Sequence, residues 1–272
     1  MDRKAVAKQT VAILDQGYYD GPDGRVNLEK LQARMVADSV LVTPEQGEEL
    51  LKNYPAGARP CTWHASTWNC ATVEGIERLA AAGKPPAVLN FASAKNPGGG
   101  FLNGAMAQEE SLAASSSLYQ ALLAHETYYR ENRACGTMMY TDYAIFAPGV
   151  PFFRDGQFAL RGTPVLADVL TLPAVNMGQV ILKGEDPERA KAVMLRRMKL
   201  ALALFARQGC RHLVLGAYGC GVFRNDPDVI AAGWSELLHT CFQDQFETVI
   251  FAVLDHSKTQ RCIKAFQALT EA

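Results

Sequence analysis

The sequence predicts an α/β fold, a central mixed sheet with helices on both faces. Three observations carry this. From about Thr62 onward, short apolar runs of strand length alternate with longer stretches of helical period. Two of the short runs end in glycine-rich turns that lead directly into helices. Between Pro187 and Gln208, Ala190, Val193, Met194, Met198, Ala201, Leu202 and Phe205 form one apolar stripe at helical spacing, the face of a helix packed on a sheet.

The elements follow in order. Residues 1–60 read as a helical accessory region. Helices are expected over Asp2–Gln16, around Leu28–Ala37, and after Thr43, which caps a helix with Pro44 at its first position. Residues 61–272 read as the main domain. In it Thr72–Ala82 is a short helix, Ala87–Ala92 a buried strand, and Gln108–Tyr129 a single helix. Tyr143–Phe146 and Leu170–Leu172 are strands, and Phe152–Phe158 is a hairpin turning at Asp155-Gly156. Asp186 caps the long helix and Gly209 closes it. Leu213–Leu215 and Thr248–Leu254 are the last strands, with Asp226-Pro227 opening a helix between them.

The most informative stretch is Asn96-Pro97-Gly98-Gly99-Gly100, followed at Gln108-Glu109-Glu110 by the start of a helix. Strand, glycine loop and helix in that order present backbone N–H groups to an anion, usually a phosphate. Glutamates in a first helical turn also suit the helix dipole, so neither feature is specific alone. No Gly-Lys-Ser/Thr follows, and the glycine spacing is not that of a dinucleotide loop. Carboxylates repel a phosphate held close by. Glu109 and Glu110 make sense facing a neighbouring sugar, which points to a phosphate-bearing glycoside and acid/base chemistry. A second loop, Gly216-Ala217-Tyr218-Gly219-Cys220-Gly221-Val222-Phe223, follows another strand. In an α/β sheet the carboxyl ends of strands are where ligands bind, and two such loops suit opposite sides of one diphosphate.

The segment Val88–Tyr119 (VLNFASAKNPGGGFLNGAMAQEESLAASSSLY) resembles the signature of bacterial-type poly(ADP-ribose) glycohydrolases, which are macrodomain proteins. LGAYGCGVFRNDP from Leu215 and FAVLD from Phe251 fit the same family in order and spacing, so the resemblance runs from about Thr67 to Asp255. It implies a macrodomain-like catalytic domain over 61–272 that hydrolyses ribose–ribose O-glycosidic bonds, mainly from polymer ends, releasing ADP-ribose. The partners implied are poly(ADP-ribose) or ADP-ribosylated proteins. On this reading Glu110 is acid and then base, its carboxyl pKa raised by burial and by the Glu109 charge, and Glu109 binds ribose hydroxyls. The backbone from Gly216 to Val222, through Ala217, Gly219, Cys220 and Gly221, holds the diphosphate. Gly98, Gly99 and Gly100 close over it, while Asn96 and Gln108 orient the sugar and the loop. Phe223 fits core packing or a cover over a bound ring, and the resemblance implies the ring. Two alternatives stay open: a macrodomain that reads ADP-ribose without cleaving it, and a hydrolase of another ADP-ribose linkage.

Composition narrows the class further. The 272 residues carry a formal net charge of −1 with dispersed Lys and Arg, so sequence-specific nucleic-acid binding is not expected. No signal-peptide core and no apolar run of membrane-spanning length occurs, which predicts a cytoplasmic enzyme with no membrane association. The seven cysteines show no disulfide framework. Cys61, His64 and Cys70 come nearest to a metal cluster, but packed thiols account for them, and neither metal nor cofactor is expected. Cys220 is read as a small residue beside a phosphate, not as a nucleophile. His125, His212, His239 and His256 are isolated, and none is assigned to catalysis.

Overall fold

A computed structural model describes residues 2–57 and 60–270. The chain opens with α1 (Arg3–Gln16), whose first N–H groups donate to the Asp2 carboxylate. A hairpin of β1 (Tyr18–Gly21) and β2 (Gly24–Asn27) follows, then α2 (Glu29–Asp38), β3 (Val40–Val42) and α3 (Pro44–Leu51). Thr43 and Gln46 cap α3 reciprocally. The three expected helices are present, and the strands between them are additional. Tyr19 anchors the hairpin, its ring 5.6 Å from that of Phe153. Residues 40–42 add an edge strand to the main sheet.

The rest of the chain runs β4 (His64–Trp68), α4 (Thr72–Ala81), β5 (Pro86–Ala92), α5 (Gln108–Ser115), α6 (Leu118–Leu123) and α7 (Glu126–Ala134). Then come β6 (Ala144–Arg154), β7 (Leu160–Pro173), α8 (Met177–Leu182), α9 (Pro187–Arg207), β8 (His212–Leu215), α10 (Pro227–Thr240), β9 (Thr248–Ala252) and α11 (Arg261–Thr270). The single helix expected from Gln108 to Tyr129 is three helices. Ser116 leaves helical geometry to bridge Phe152 of β6, and its hydroxyl donates to the Leu112 carbonyl while accepting from the Leu118 N–H. Serine side chains compete with the helix for backbone partners, and here tertiary pairing decides the outcome.

The main sheet has the order β3-β6-β7-β5-β8-β9-β4. β7, β5, β8, β9 and β4 are mutually parallel, while β6 and β3 complete one side antiparallel. Alternate residues of each strand enter two layers of core. Leu89, Leu170, Leu213, Leu215 and Phe251 face α9 and α10, and Val88, Val169, Val214 and Ile250 face α4 to α7. The stripe expected on α9 lies in the first layer, with Val193 at its edge. β5 and β8 are neighbours and parallel, so the glycine loops that follow them leave the same edge of the sheet side by side. Among the described residues, no helix is long and apolar enough to cross a membrane.

Candidate active site

The first loop is a series of tight corners. After β5, the Ser93 hydroxyl accepts from the Lys95 and Asn96 N–H groups, and the Asn96 carbonyl accepts from Gly99 at 3.0 Å. Gly98 and Gly99 both take left-handed backbone, φ 67° and 60°. A side chain on Gly99 would run into the Glu110 carboxylate. Phe101, buried against Ala113 and edge-on to Tyr119 at 4.9 Å, fixes the far end.

α5 begins with Gln108, Glu109 and Glu110, and its first turn is tied to β5 and the loop by all three side chains. Gln108 accepts from the Phe91 N–H at 2.9 Å and donates to the Leu89 carbonyl at 2.7 Å. Expected among the sugar-orienting residues, it has both ends of its amide engaged by β5, so what it orients is the helix. Glu109 is 3 % exposed and accepts from the Ser93 N–H at 2.6 Å, from Asn90 Nδ2 at 3.4 Å and from the Gly98 N–H. Glu110 is half-buried and accepts from the Gly100 N–H at 2.9 Å. The two neighbours therefore point to different surroundings, as their roughly 100° separation on a helix requires.

Burial falls on Glu109 instead of Glu110. It pushes the Glu109 carboxyl up to about 8, against the Ser93 N–H bond that favours the charged form, and the Glu110 charge adds to the rise. Burial thus favours the protonated form of Glu109, and the N–H bonds it accepts favour the charged one. Beyond Glu110 lies a cavity of about 10 Å³, room for roughly one water, lined by Arg3 and Val6 of α1, Phe101, Ala105, Ala114 and Phe158. Thr10 of α1 donates to the Ala114 carbonyl, and buried Arg154 reaches from the β6–β7 hairpin to Gln9, Thr10 and the Phe158 carbonyl. The N-terminal helix thus closes this side of the site.

The second loop is built on buried anchors. Tyr218 donates its hydroxyl to the Leu172 carbonyl at 2.9 Å, and Trp234 donates to the Gly216 carbonyl at 3.1 Å. Buried Asn225 donates to the carbonyls of Val175 and Gly219. Gly219 is left-handed at φ 73°, and an added Cβ would meet Asn225 Nδ2 at 2.6 Å and Ala174 at 2.7 Å. Gly221 is the opposite case, with open space where a Cβ would be. Among the described residues, the N–H groups of Gly221, Val222 and Phe223 have no protein partner, and Val222 is exposed. Three consecutive backbone N–H groups are thus left without a protein partner on a loop whose ends are fixed. Phe223 is half-buried beside Tyr140, ring centroids 6.1 Å apart, so packing and ligand contact are both open to it. Fully buried Arg197 pairs with Asp142 at 2.9 Å and donates to the Met139 and Pro173 carbonyls, which holds the Tyr140 segment in place.

The profile described as "Microbial-type PARG, catalytic domain" matches residues 7–155. The chain belongs to this family. The match spans the first loop, the three residues Gln108 to Glu110 and the strand β6 that carries Arg154. Similarity to solved structures extends over the second loop as well. Poly(ADP-ribose) glycohydrolase from Thermomonospora curvata is 37 % identical over 98 % of each chain, with a TM-score of 0.92. The same enzyme bound to the inhibitor ADP-HPD gives 0.90 at the same identity and coverage. The enzyme from Deinococcus radiodurans, in complex with ADP-ribose, is 40 % identical over 88 % of this chain and 97 % of its own, with a TM-score of 0.82. A comparison with curated proteins finds no match.

Within this family site, the residues that sequence reasoning left unassigned are Asn90, Ser93, Asn225 and, from α1 and the hairpin, Arg3 and Phe158. Asn90 carried a signal, a polar residue in the middle of an apolar strand. Arg3 and Phe158 carried none, because only the fold brings them to Glu110. Among the described residues, no group of three or more His, Cys, Asp or Glu is placed to hold a metal ion, so Cys61, His64 and Cys70 are not a cluster.

Proposed function

We propose that the chain hydrolyses the ribose–ribose O-glycosidic bond of poly(ADP-ribose), with Glu110 as the acid and then the base. Family membership makes it a glycosidase of this class; the division of labour rests on the site. The observation that carries it is the contrast between the two carboxylates. Glu109 is buried, its carboxyl pKa raised, and it holds the loop from beneath. Glu110 stands half-exposed at the loop's edge, with one oxygen on the Gly100 N–H and the other free to work.

In the proposed reaction the diphosphate rests on the free N–H groups of Gly221 to Phe223. The neighbouring ribose then reaches the edge of the first loop, one strand spacing away. Glu110 donates a proton to the leaving glycosidic oxygen as the bond to the anomeric carbon breaks. Charge at that carbon is met by water, from which Glu110 recovers a proton.

Cleavage from polymer ends follows from the closed side of the site. Toward α1, Arg3, Val6, Phe101 and Phe158 line the space beside Glu110, and this wall supports an end-directed mode. A cytoplasmic location is proposed with this activity, on the odd cysteine count without disulfide spacing. The test is incubation with automodified polymer and identification of the product. Free ADP-ribose from the earliest times is expected. Release of oligomers first would overturn the end-directed mode, and no release at all would overturn the activity.

A further inference from the structure

Among the described residues, four other than glycine take left-handed backbone: Tyr140, Phe158, Arg224 and Gln260. Three of the four stand at the site. Phe158 lines the space beside Glu110, Tyr140 faces the Phe223 ring, and Arg224 follows Phe223 directly. Strained backbone of this kind collects at functional sites. Of the three, Arg224 is the one that carries a charge.

At φ 58° its corner would accept glycine without strain, yet the chain places a long cation there. The Arg224 N–H donates to the Gly221 carbonyl at 3.0 Å and closes the turn that holds Gly221, Val222 and Phe223. The side chain is directed by α8. The Gly178 N–H donates to the Phe223 carbonyl at 3.0 Å, and a Cβ on Gly178 would meet Arg224 Cδ at 3.0 Å and Cγ at 3.4 Å. The stem therefore lies across bare backbone in the first turn of α8, which leaves the guanidinium at the rim between α8 and the second loop. Arg224 is exposed and, among the described residues, forms no ion pair and no side-chain hydrogen bond.

The carboxylates nearest to it in the chain are already engaged. Asp226 and Asp228 both pair with Arg261 at 3.0 Å, and Glu185, beyond α8, accepts twice from the Met138 N–H, at 3.0 and 3.1 Å. The Arg224 charge is thus not neutralised by the protein. It follows in sequence on the N–H groups of Gly221 to Phe223, which also lack a protein partner among the described residues. Both favour an anion, and together they suit one that carries more than a single charge.

We propose that Arg224 determines specificity for the substrate, its guanidinium taking the diphosphate of the ADP-ribose unit held by the second loop. The proposal rests on the reading of that loop given above. A backbone N–H recognises an acceptor whether it is charged or neutral, whereas a guanidinium favours a charged one. Arg224 therefore selects a diphosphate over an uncharged ligand. Its pull also reaches beyond contact, over about 10 Å at 0.1 M salt. Strain at the corner is accepted because only a cation there does this work.

The experiment titrates ADP-ribose calorimetrically, at low and at high salt, into the wild type, Arg224→Gln, Arg224→Lys, Arg224→Gly and Gly221→Val, with thermal midpoints for each. Arg224→Gln should weaken binding about tenfold at low salt, and the deficit should shrink as salt rises. Arg224→Lys keeps the charge and should stay within about threefold of wild type, with the same salt dependence. Arg224→Gly relieves the corner, so its thermal midpoint should equal or exceed that of wild type while its affinity falls as for glutamine. Wild-type affinity in Arg224→Gln, with Gly221→Val weakened, overturns the role of Arg224 alone. A loss that is the same at low and high salt, or as large in the lysine variant, makes Arg224 a prop for the loop and overturns the assignment of its charge. Unchanged binding by Gly221→Val moves the diphosphate off the second loop, and this proposal falls with that reading.

Discussion

The two glycine loops leave adjacent parallel strands at one edge of the sheet, yet they use their backbone in opposite ways. In the first loop the Gly98 and Gly100 N–H groups go to Glu109 and Glu110, and that of Gly99 goes to the Asn96 carbonyl. In the second, buried Tyr218 and Asn225 fix the ends, and the N–H groups of Gly221 to Phe223 are left open. The expectation that both loops cradle the diphosphate is therefore divided. Glycines in the first loop serve to bring backbone against carboxylates and so hold Glu110 in place. Glycines in the second leave backbone uncovered, with open space at Gly221. The same composition at the same sheet edge ties backbone to carboxylates in one case and leaves it unpaired among the described residues in the other.

The largest effect expected from breaking this division is on turnover. Glu110→Gln keeps an acceptor for the Gly100 N–H but has no proton to give, so turnover should fall about 10²-fold or more. ADP-ribose affinity should stay within a few-fold of wild type. Steady-state release of ADP-ribose together with calorimetry checks both, and a near-normal rate would remove Glu110 from the chemistry. Next comes Gly99→Ala, which forces a side chain into the Glu110 carboxylate from a left-handed position. It should cost about 1–3 kcal/mol of stability and slow turnover about tenfold or more by misplacing Glu110. Affinity should change less than rate; the reverse pattern would make the first loop a binding loop after all.

In the second loop two glycines separate fold from binding. Gly219→Val should lower stability by about 1–3 kcal/mol, because the left-handed corner and the contacts with Asn225 and Ala174 both oppose it. Gly221→Val meets no protein atom, so thermal stability should be unchanged while ADP-ribose binding weakens about tenfold. Unchanged binding by a folded Gly221→Val protein would place the diphosphate elsewhere.

What the sequence made legible was local. Strand, loop and helix in succession identify residues 86–110 and 213–240 without any tertiary information, and the caps at Thr43, Asp186 and Asp226 stand where their residue types require. What it hid depends on partners far along the chain. Gln108 reads as a polar residue near a ligand until β5 is seen to take both ends of its amide. Ser116 reads as helical until Phe152 takes its backbone. Arg3 and Phe158 become neighbours of Glu110 only because Arg154 draws α1 and the hairpin together. The assignment of burial to Glu110 failed for a related reason. Consecutive residues on a helix face different sides, and sequence alone does not say which side is the core.

The smallest effect on turnover is expected from Glu109→Gln, which sharpens the comparison through stability instead. A carboxyl raised from 4.5 to about 8 by burial binds its proton more tightly in the folded state than in the unfolded one. Its contribution to stability is therefore fully present below about pH 4.5 and is lost as pH rises through about 8. Glutamine has the shape of the protonated acid and does not ionise, and it still offers an oxygen to the Ser93 N–H. The variant should match wild type near pH 5 and become increasingly the more stable of the two toward pH 9, by up to a few kcal/mol. Urea midpoints at pH 5, 7 and 9 measure this directly. If the two proteins lose stability in parallel, Glu109 is ionised in the folded enzyme, and the first loop is held by two charges rather than by one charge and one neutral acid. In that case Glu110 would work beside a fixed negative neighbour, and Glu109→Gln should alter the pH dependence of turnover instead of leaving it unchanged.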